Sequence, residues 1–298
     1  MPHLEPQGTT LEVLLRELHN YAACGDLESL KEIVESRWEL EEETDMSWVQ
    51  PNLMERCHKT RGELSSDKAV ALQRVFITAV KGHHVDIASY LLSRGHCVIS
   101  PPAVRNACVK ADWNMAQVYL DHGWDINRPV EGGNTMPILS ELITSIPHIE
   151  WLLDHGANPM AGSISHHKTI PGQAAKGASL AVLRLLKDKG VDFSKSNALH
   201  DAAASKVKGR IEIMDFLLDE AGVPLNAMAF DYDQRLSVMH GSFRIGTALH
   251  SALWSNNLES MKYLIGRDID QSIKDGRGRT AAEVARQFKF HEALPLLE

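Results

Sequence analysis

The feature that most constrains this chain is a helix-stopping glycine that returns at a nearly fixed interval. The segments SYLLSRG (89–95), QVYLDHG (117–123), EWLLDHG (150–156), RLLKDKG (184–190) and FLLDEAG (216–222) each close an apolar helical stretch on glycine. These glycines, Gly95, Gly123, Gly156, Gly190 and Gly222, lie 28, 33, 34 and 32 residues apart. Glycine just past a helix removes the Cβ clash of the left-handed backbone that ends it. A stop repeated at this spacing implies a stack of small units, each of which buries its apolar face only against its neighbours.

A second, shorter helix rich in small residues precedes each stop. ELHNYAACGD (17–26), NALHDAAA (197–204) and GTALHSALWSNN (246–257) are its clearest copies. Alanine keeps this first helix slim, so that successive units approach closely. The helix after it carries leucines at i, i+3, i+4 spacing, as in Leu27, Leu30, Ile33 and Val34, or Leu180, Leu183 and Leu186.

These residues resemble the ankyrin repeat. Its T-P-L-H start is similar to Thr247-Ala248-Leu249-His250 and, in part, to Leu199-His200 and Leu18-His19. Its closing G-A-D-x-N resembles Gly156-Ala157-Asn158-Pro159, Gly123-Trp124-Asp125-Ile126-Asn127 and Gly190-Val191-Asp192. The resemblance implies an all-α solenoid of about eight helix-turn-helix units forming a single domain over 1–298. The expected units lie near 11–38, 68–100, 101–129, 133–162, 168–196, 197–229, 246–275 and 278–298, the last a C-terminal cap. Two insertions break the spacing, at about 38–67, which opens on Glu39, Glu41, Glu42 and Glu43, and at about 228–246. Insertions in solenoids become loops on one side.

Composition narrows the function classes. The formal net charge is -8 at pH 7, so there is no basic excess to displace phosphate counterions, and neither nucleic acid nor an acidic membrane is an expected partner. The Lys/Arg groups at 206–210 and 277–279 are the densest and are short. Cys24, Cys57, Cys97 and Cys108 show no regular spacing, and no disulfide framework is expected. The first residues have neither the basic nor the apolar stretch of a signal peptide. No run approaches the ~18 apolar residues of a membrane helix. A reduced, intracellular protein, cytoplasmic or nuclear and monomeric, is the expectation.

Fifteen histidines raise the question of chemistry. His19, His200 and His250 fall on the family's own histidine position, which the resemblance makes structural. His122 and His155 precede helix-ending glycines, where an imidazole can cap the last carbonyls. His83-His84, His166-His167, His240 and Cys57-His58 lack the paired spacing of a zinc site. A nucleophile elbow, a phosphate loop and a dinucleotide fingerprint are absent. No catalytic residues, no metal and no cofactor are expected.

The expected function is therefore a non-catalytic interaction module that grips another protein in the concave groove such repeats form, as an adaptor, inhibitor or regulatory subunit. The resemblance places contacts on the first-helix ends, at Lys81, Lys110, Lys176 and Trp254, and on the hairpin tips. Tip residues are Glu131, Asn134, His166, His167, Phe243, Arg244 and Arg279. Aromatic and arginine side chains tend to dominate interfaces, which favours Trp254, Phe243 and Arg244 as anchors. Packing of Trp254 on the next unit is the alternative, and Leu142 and Phe288 read as core or cap. Phe230, Tyr232 and Phe243 enrich the second insertion beside these anchors. The rival to the module is a small-molecule site or enzyme on the same scaffold, closed by the 228–246 loop with His166, His167 and His240 nearby.

Overall fold

The computed structural model describes residues 10–38, 67–95, 97–130, 136–163, 168–233 and 245–298. Within them the chain is helical apart from one two-stranded antiparallel ribbon. It divides into two compact units, Met1–Asp125 and Ile126–Glu298.

In the first unit, helices come in pairs: α1 (Thr10–Cys24) with α2 (Leu27–Ile33), α3 (Asp67–Lys81) with α4 (Val85–Ser93), and α5 (Pro101–Val109) with α6 (Trp113–Asp121). The leucine spacing predicts the buried face of α2, where Leu30 and Ile33 are inaccessible. A π-turn, Val34–Trp38, extends α2, admits one extra residue and turns Trp38 into the core. Leu14, Leu18, Leu72, Phe76, Leu91 and Tyr119 fill that core.

In the second unit the pairs are α7 (Ile138–Glu141) with α8 (Ile146–Asp154), and α9 (Ile170–Gly177) with α10 (Leu180–Asp188). Strands β1 (Gly162–Ser163) and β2 (Lys168–Thr169) form the ribbon between these two pairs. A 3-10 turn, Phe193–Lys195, precedes α11 (Ala198–Ala204), which pairs with α12 (Arg210–Asp215) and its π-turn Phe216–Glu220. Then follow α13 (Ala248–Trp254) with α14 (Leu258–Gly266), and α15 (Ala281–Phe288) with the short α16 (Leu294–Leu297). The slim first helices pack as their alanines predict: Ala198, Ala202 and Ala203 of α11 are buried, as are Ala248 and Ala252 of α13.

The five periodic glycines are left-handed, with φ from +68 to +91. After Gly123, Gly156 and Gly190 the next amide donates back five residues: Trp124 to Tyr119, Ala157 to Leu152, Val191 to Leu186. After Gly222 the bond spans six residues, Val223 to Leu217, because the π-turn has inserted one. Asp268 (φ +59) makes the same stop without glycine, and Ile269 donates to Leu264.

Asparagine ties the loops of adjacent units together. The Asn127 side chain accepts from the Asn158 amide at 2.6 Å and donates to the Gly156 carbonyl. Asn226, four residues past Gly222 as Asn127 is past Gly123, accepts from the Asp270 amide at 2.9 Å. Each fixes the next loop through backbone atoms, so the ladder tolerates sequence change in the loop it holds.

Candidate functional site

The histidines of the repeat position are structural in the second unit. His200 Nε2 lies 3.1 Å from the Gly246 carbonyl, and His250 Nε2 lies 3.3 Å from the Arg279 carbonyl. Gly246 and Arg279 each precede the threonine that caps the next first helix, Thr247 and Thr280. Burial lowers the pKa of both rings, that of His200 to about 4, so these are neutral imidazoles. His19 departs from the pattern and meets the Thr78 hydroxyl at 3.0 Å. His155 caps the Trp151 carbonyl at 2.7 Å and stacks on the Trp151 ring, whereas His122 reaches Ser89.

Among the described residues no cluster of His, Cys, Asp and Glu could hold a metal ion. Cys24, Cys97 and Cys108 are free, and burial raises the Cys97 and Cys108 thiols, the latter to about 12. No helix there is long and apolar enough to cross a membrane.

What the second unit does present is a continuous edge made of the turns between paired helices. Ser205 Oγ donates to the Lys176 carbonyl. Arg210 reaches the same turn, donating to the Ala175 and Ala178 carbonyls at 2.7 and 2.6 Å. From the following unit, Asn257 Nδ2 donates to the Ala203 and Ser205 carbonyls while its Oδ1 caps α14 at Ser260. The Trp254 ring then stands against Phe288 and Phe290, with centroids 4.8 and 5.9 Å away. Four successive turns are thereby laced into one surface.

That edge gathers apolar side chains in water. Val207 and Phe288 are 51% and 44% exposed, and the other exposed bulky apolar side chain among the described residues, Val109, is the last residue of α5 in the first unit. Trp254 and Phe290 are half-buried. Exposed apolar area concentrated on one feature, rather than scattered, is the mark of a surface that another molecule covers.

The expected contact residues fall differently. Trp254 lies on the edge and packs on Phe288 and Phe290 of the next helix pair, as the packing alternative has it. Lys176 is exposed on the first turn of the edge, and Lys81 and Lys110 are exposed at the ends of α3 and α5 in the first unit. Arg279 is tied down: it grips the buried Asp275 through Nε and Nη2, donates to Gln287 and lies over the Phe288 ring. Phe288, read from sequence as core or cap, is exposed. Glu131, Asn134, His166, His167, Phe243, Arg244 and His240 lie outside the described residues. Sequence reasoning missed Val207 and Phe290. Val207 had a signal, since it sits inside the densest basic group of the chain; Phe290 lies past the end of α15 and had none.

Residues 199–265, which hold both backbone-bonded histidines and the Ser205–Asn257 lacing, match the family described as ankyrin repeats in many copies. Those residues are ankyrin repeats. The chain is 29% identical over 122 residues to alpha-latrotoxin-Lg1a of Latrodectus geometricus, a match covering 40% of this chain and 8% of that relative's length. Two solved structures are similar: the ankyrin repeat protein EF0377 (22% identity, TM-score 0.47) and an ankyrin repeat domain from Acinetobacter baumannii AYE (21% identity, TM-score 0.45). They cover 67% and 65% of this chain, which spans 98% and 95% of theirs. Ankyrin repeats are in general protein-interaction modules and in general non-catalytic.

Proposed function

We propose that this chain is a non-catalytic interaction module whose partner protein binds the laced turn edge of the Ile126–Glu298 unit. The observation that carries the reading is the gathering of Val207, Trp254, Phe288 and Phe290 on turns already fixed by buried hydrogen bonds. A preformed surface loses little conformational freedom when a partner arrives, which favours affinity. Aromatic rings at such a surface supply large contact area at small entropic cost.

The test is positional. A photoactivatable amino acid is placed at Val207, at Phe288, or at Lys262, an exposed site on the second helix α14. Crosslinking of the native partner from Val207 and Phe288 but not from Lys262 is expected. Equal crosslinking from Lys262, or crosslinking from Lys262 alone, would overturn the reading.

A further inference from the structure

The laced edge is basic in a chain that is acidic overall. Lys176, Lys206, Lys208 and Lys289 are exposed on its turns, and none of them makes an ion pair among the described residues. The turn segments 176–179, 205–210, 254–257 and 288–291 contain no Asp or Glu, although the whole chain carries a net charge of -8. Asp201, half-buried on α11, is within Coulombic reach of Lys176, and the exposed Glu259 and Glu292 follow the third and fourth turns, so the Lys206–Lys208 turn carries the densest positive charge of the edge.

Arg210 adds to this from below. Its residue is 7% exposed, its Nη atoms donate to carbonyls rather than to a carboxylate, and its buried Nε has no partner among the described residues. Burial lowers its pKa, and no neighbouring acid acts to raise it. A buried guanidinium without a counter-ion leaves its field to be neutralised from outside the chain. The same edge offers, a few residues away, the Trp254–Phe288–Phe290 rings.

We infer that the partner of this edge is a protein segment in which Asp or Glu residues flank a bulky apolar side chain. The carboxylates meet the Lys206–Lys208 turn and Lys176 on the turn before it, and the apolar side chain lies on Trp254, Phe288 and Phe290. This rests on the proposal that the edge is the binding surface and adds the chemistry of what it binds. Complementary charge of this kind sets orientation and speeds encounter, while the apolar contact supplies most of the retention. A nucleic acid would also satisfy the lysines through phosphate, and the oligonucleotide arm of the experiment below separates it from an acidic peptide.

The experiment selects displayed random peptides on the full chain and on a Lys206→Glu/Lys208→Glu variant, whose exposed side chains take no part in the fold. Enriched peptides are expected to pair acidic residues with an aromatic or leucine, and to bind the variant about tenfold or more weakly. Their affinity for the unaltered chain should fall as salt rises. Neutral or basic peptides lost equally on a Val207→Asp variant would keep the edge as the binding surface and overturn the acidic partner. Acidic peptides that bind the Lys206→Glu/Lys208→Glu variant unchanged would overturn it as well. So would a single-stranded oligonucleotide that binds the unaltered chain more tightly than any selected peptide and is lost on that variant.

Discussion

The ring of Trp254 stands edge-on to that of Phe288, with centroids 4.8 Å apart and planes at 66°. One residue closes the first helix of its pair and the other closes the first helix of the next. The contact therefore joins the α15–α16 pair to the pair before it, and Phe290 completes it at 5.9 Å from Trp254. Trp254→Ala is expected to destabilise the unit by about 2 kcal/mol, below the figure for a fully buried tryptophan because the side chain is only partly buried. Hydrogen exchange should quicken mainly in α15. Uniform quickening across α9 to α14 would show that the rings hold more than the α15–α16 pair.

Left-handed backbone at the turns between paired helices gives a second prediction with two signs. Gly25 (φ +80) lies under the His84 imidazole, and a Cβ there would come within 2.6 Å of Nδ1. His84 is itself anchored to the Ala23 carbonyl, so the ring cannot simply move away. Gly25→Ala should cost about 2 kcal/mol, from strain and crowding together. At Ala111 (φ +55) the same backbone carries a side chain that gains nothing from it. Ala111→Gly is expected to stabilise by roughly 0.5 kcal/mol, after the entropy glycine adds to the unfolded chain. Urea unfolding of both variants checks the pair, and a destabilising Ala111→Gly would refute the strain argument.

These turns also show what was legible in the sequence. The five glycine stops could be read because a left-handed residue after a helix strongly favours glycine, and each proves left-handed. The turns inside the pairs could not, since His83, Ala111, Asn256 and Lys289 take the same conformation without glycine. His200 and His250 were legible because their partners are backbone carbonyls, which any sequence provides; His19 was not, because its partner is a side chain. The two π-turns were invisible, as one added residue leaves the leucine pattern nearly intact. Of the site, Trp254 and Lys176 could be placed on the edge by register alone. Whether Trp254 would meet another ring depended on Phe290, outside any helix, and the grip of Asp275 on Arg279 could not be read from a hairpin-tip position.

His200 and Asp201 are neighbours with opposite responses to acid. Burial raises the Asp201 carboxyl to about 6 from an ordinary 3.8, against the pull of Lys176 and Lys168. Burial lowers His200 to about 4 from 6.5. As pH falls from about 6 toward 3.8, the folded state binds more protons at Asp201 than the unfolded chain does, so this residue's destabilising contribution is relieved. As pH falls from 6.5 through about 4, the folded state binds fewer protons at His200, and the stability that its neutral ring contributes is lost. Asp201→Asn removes the first effect and keeps the second. The variant should be more stable than the unaltered chain at neutral pH by about 1 kcal/mol, a figure reduced for the partial exposure of Asp201. That advantage should shrink through pH 6 to 4 in urea titrations. A constant difference across the range would mean that Asp201 titrates normally.

Asn257 occupies the position held by Asp26 and Asp112 in the first unit, and the difference is informative. All three cap the second helix of their pair, Asp26 at Ser29, Asp112 at Met115 and Asn257 at Ser260. Asn257 is 9% exposed and also donates through Nδ2 to the Ala203 and Ser205 carbonyls, at 3.0 and 2.8 Å. A carboxylate can cap but cannot donate. Asn257→Asp would keep the bond to Ser260 and set a buried negative charge against two carbonyl oxygens. Asn257→Ala would lose the cap and leave those oxygens unpaired, without adding charge. Alanine should cost about 2–3 kcal/mol, and aspartate should cost more although it preserves the cap. If the preserved cap decided the outcome, aspartate would be the milder change. Thermal unfolding of the two variants above pH 7, where the new carboxylate would otherwise be ionised, separates the cases and tests whether the turns of the binding edge are held by the lacing or by the helices alone.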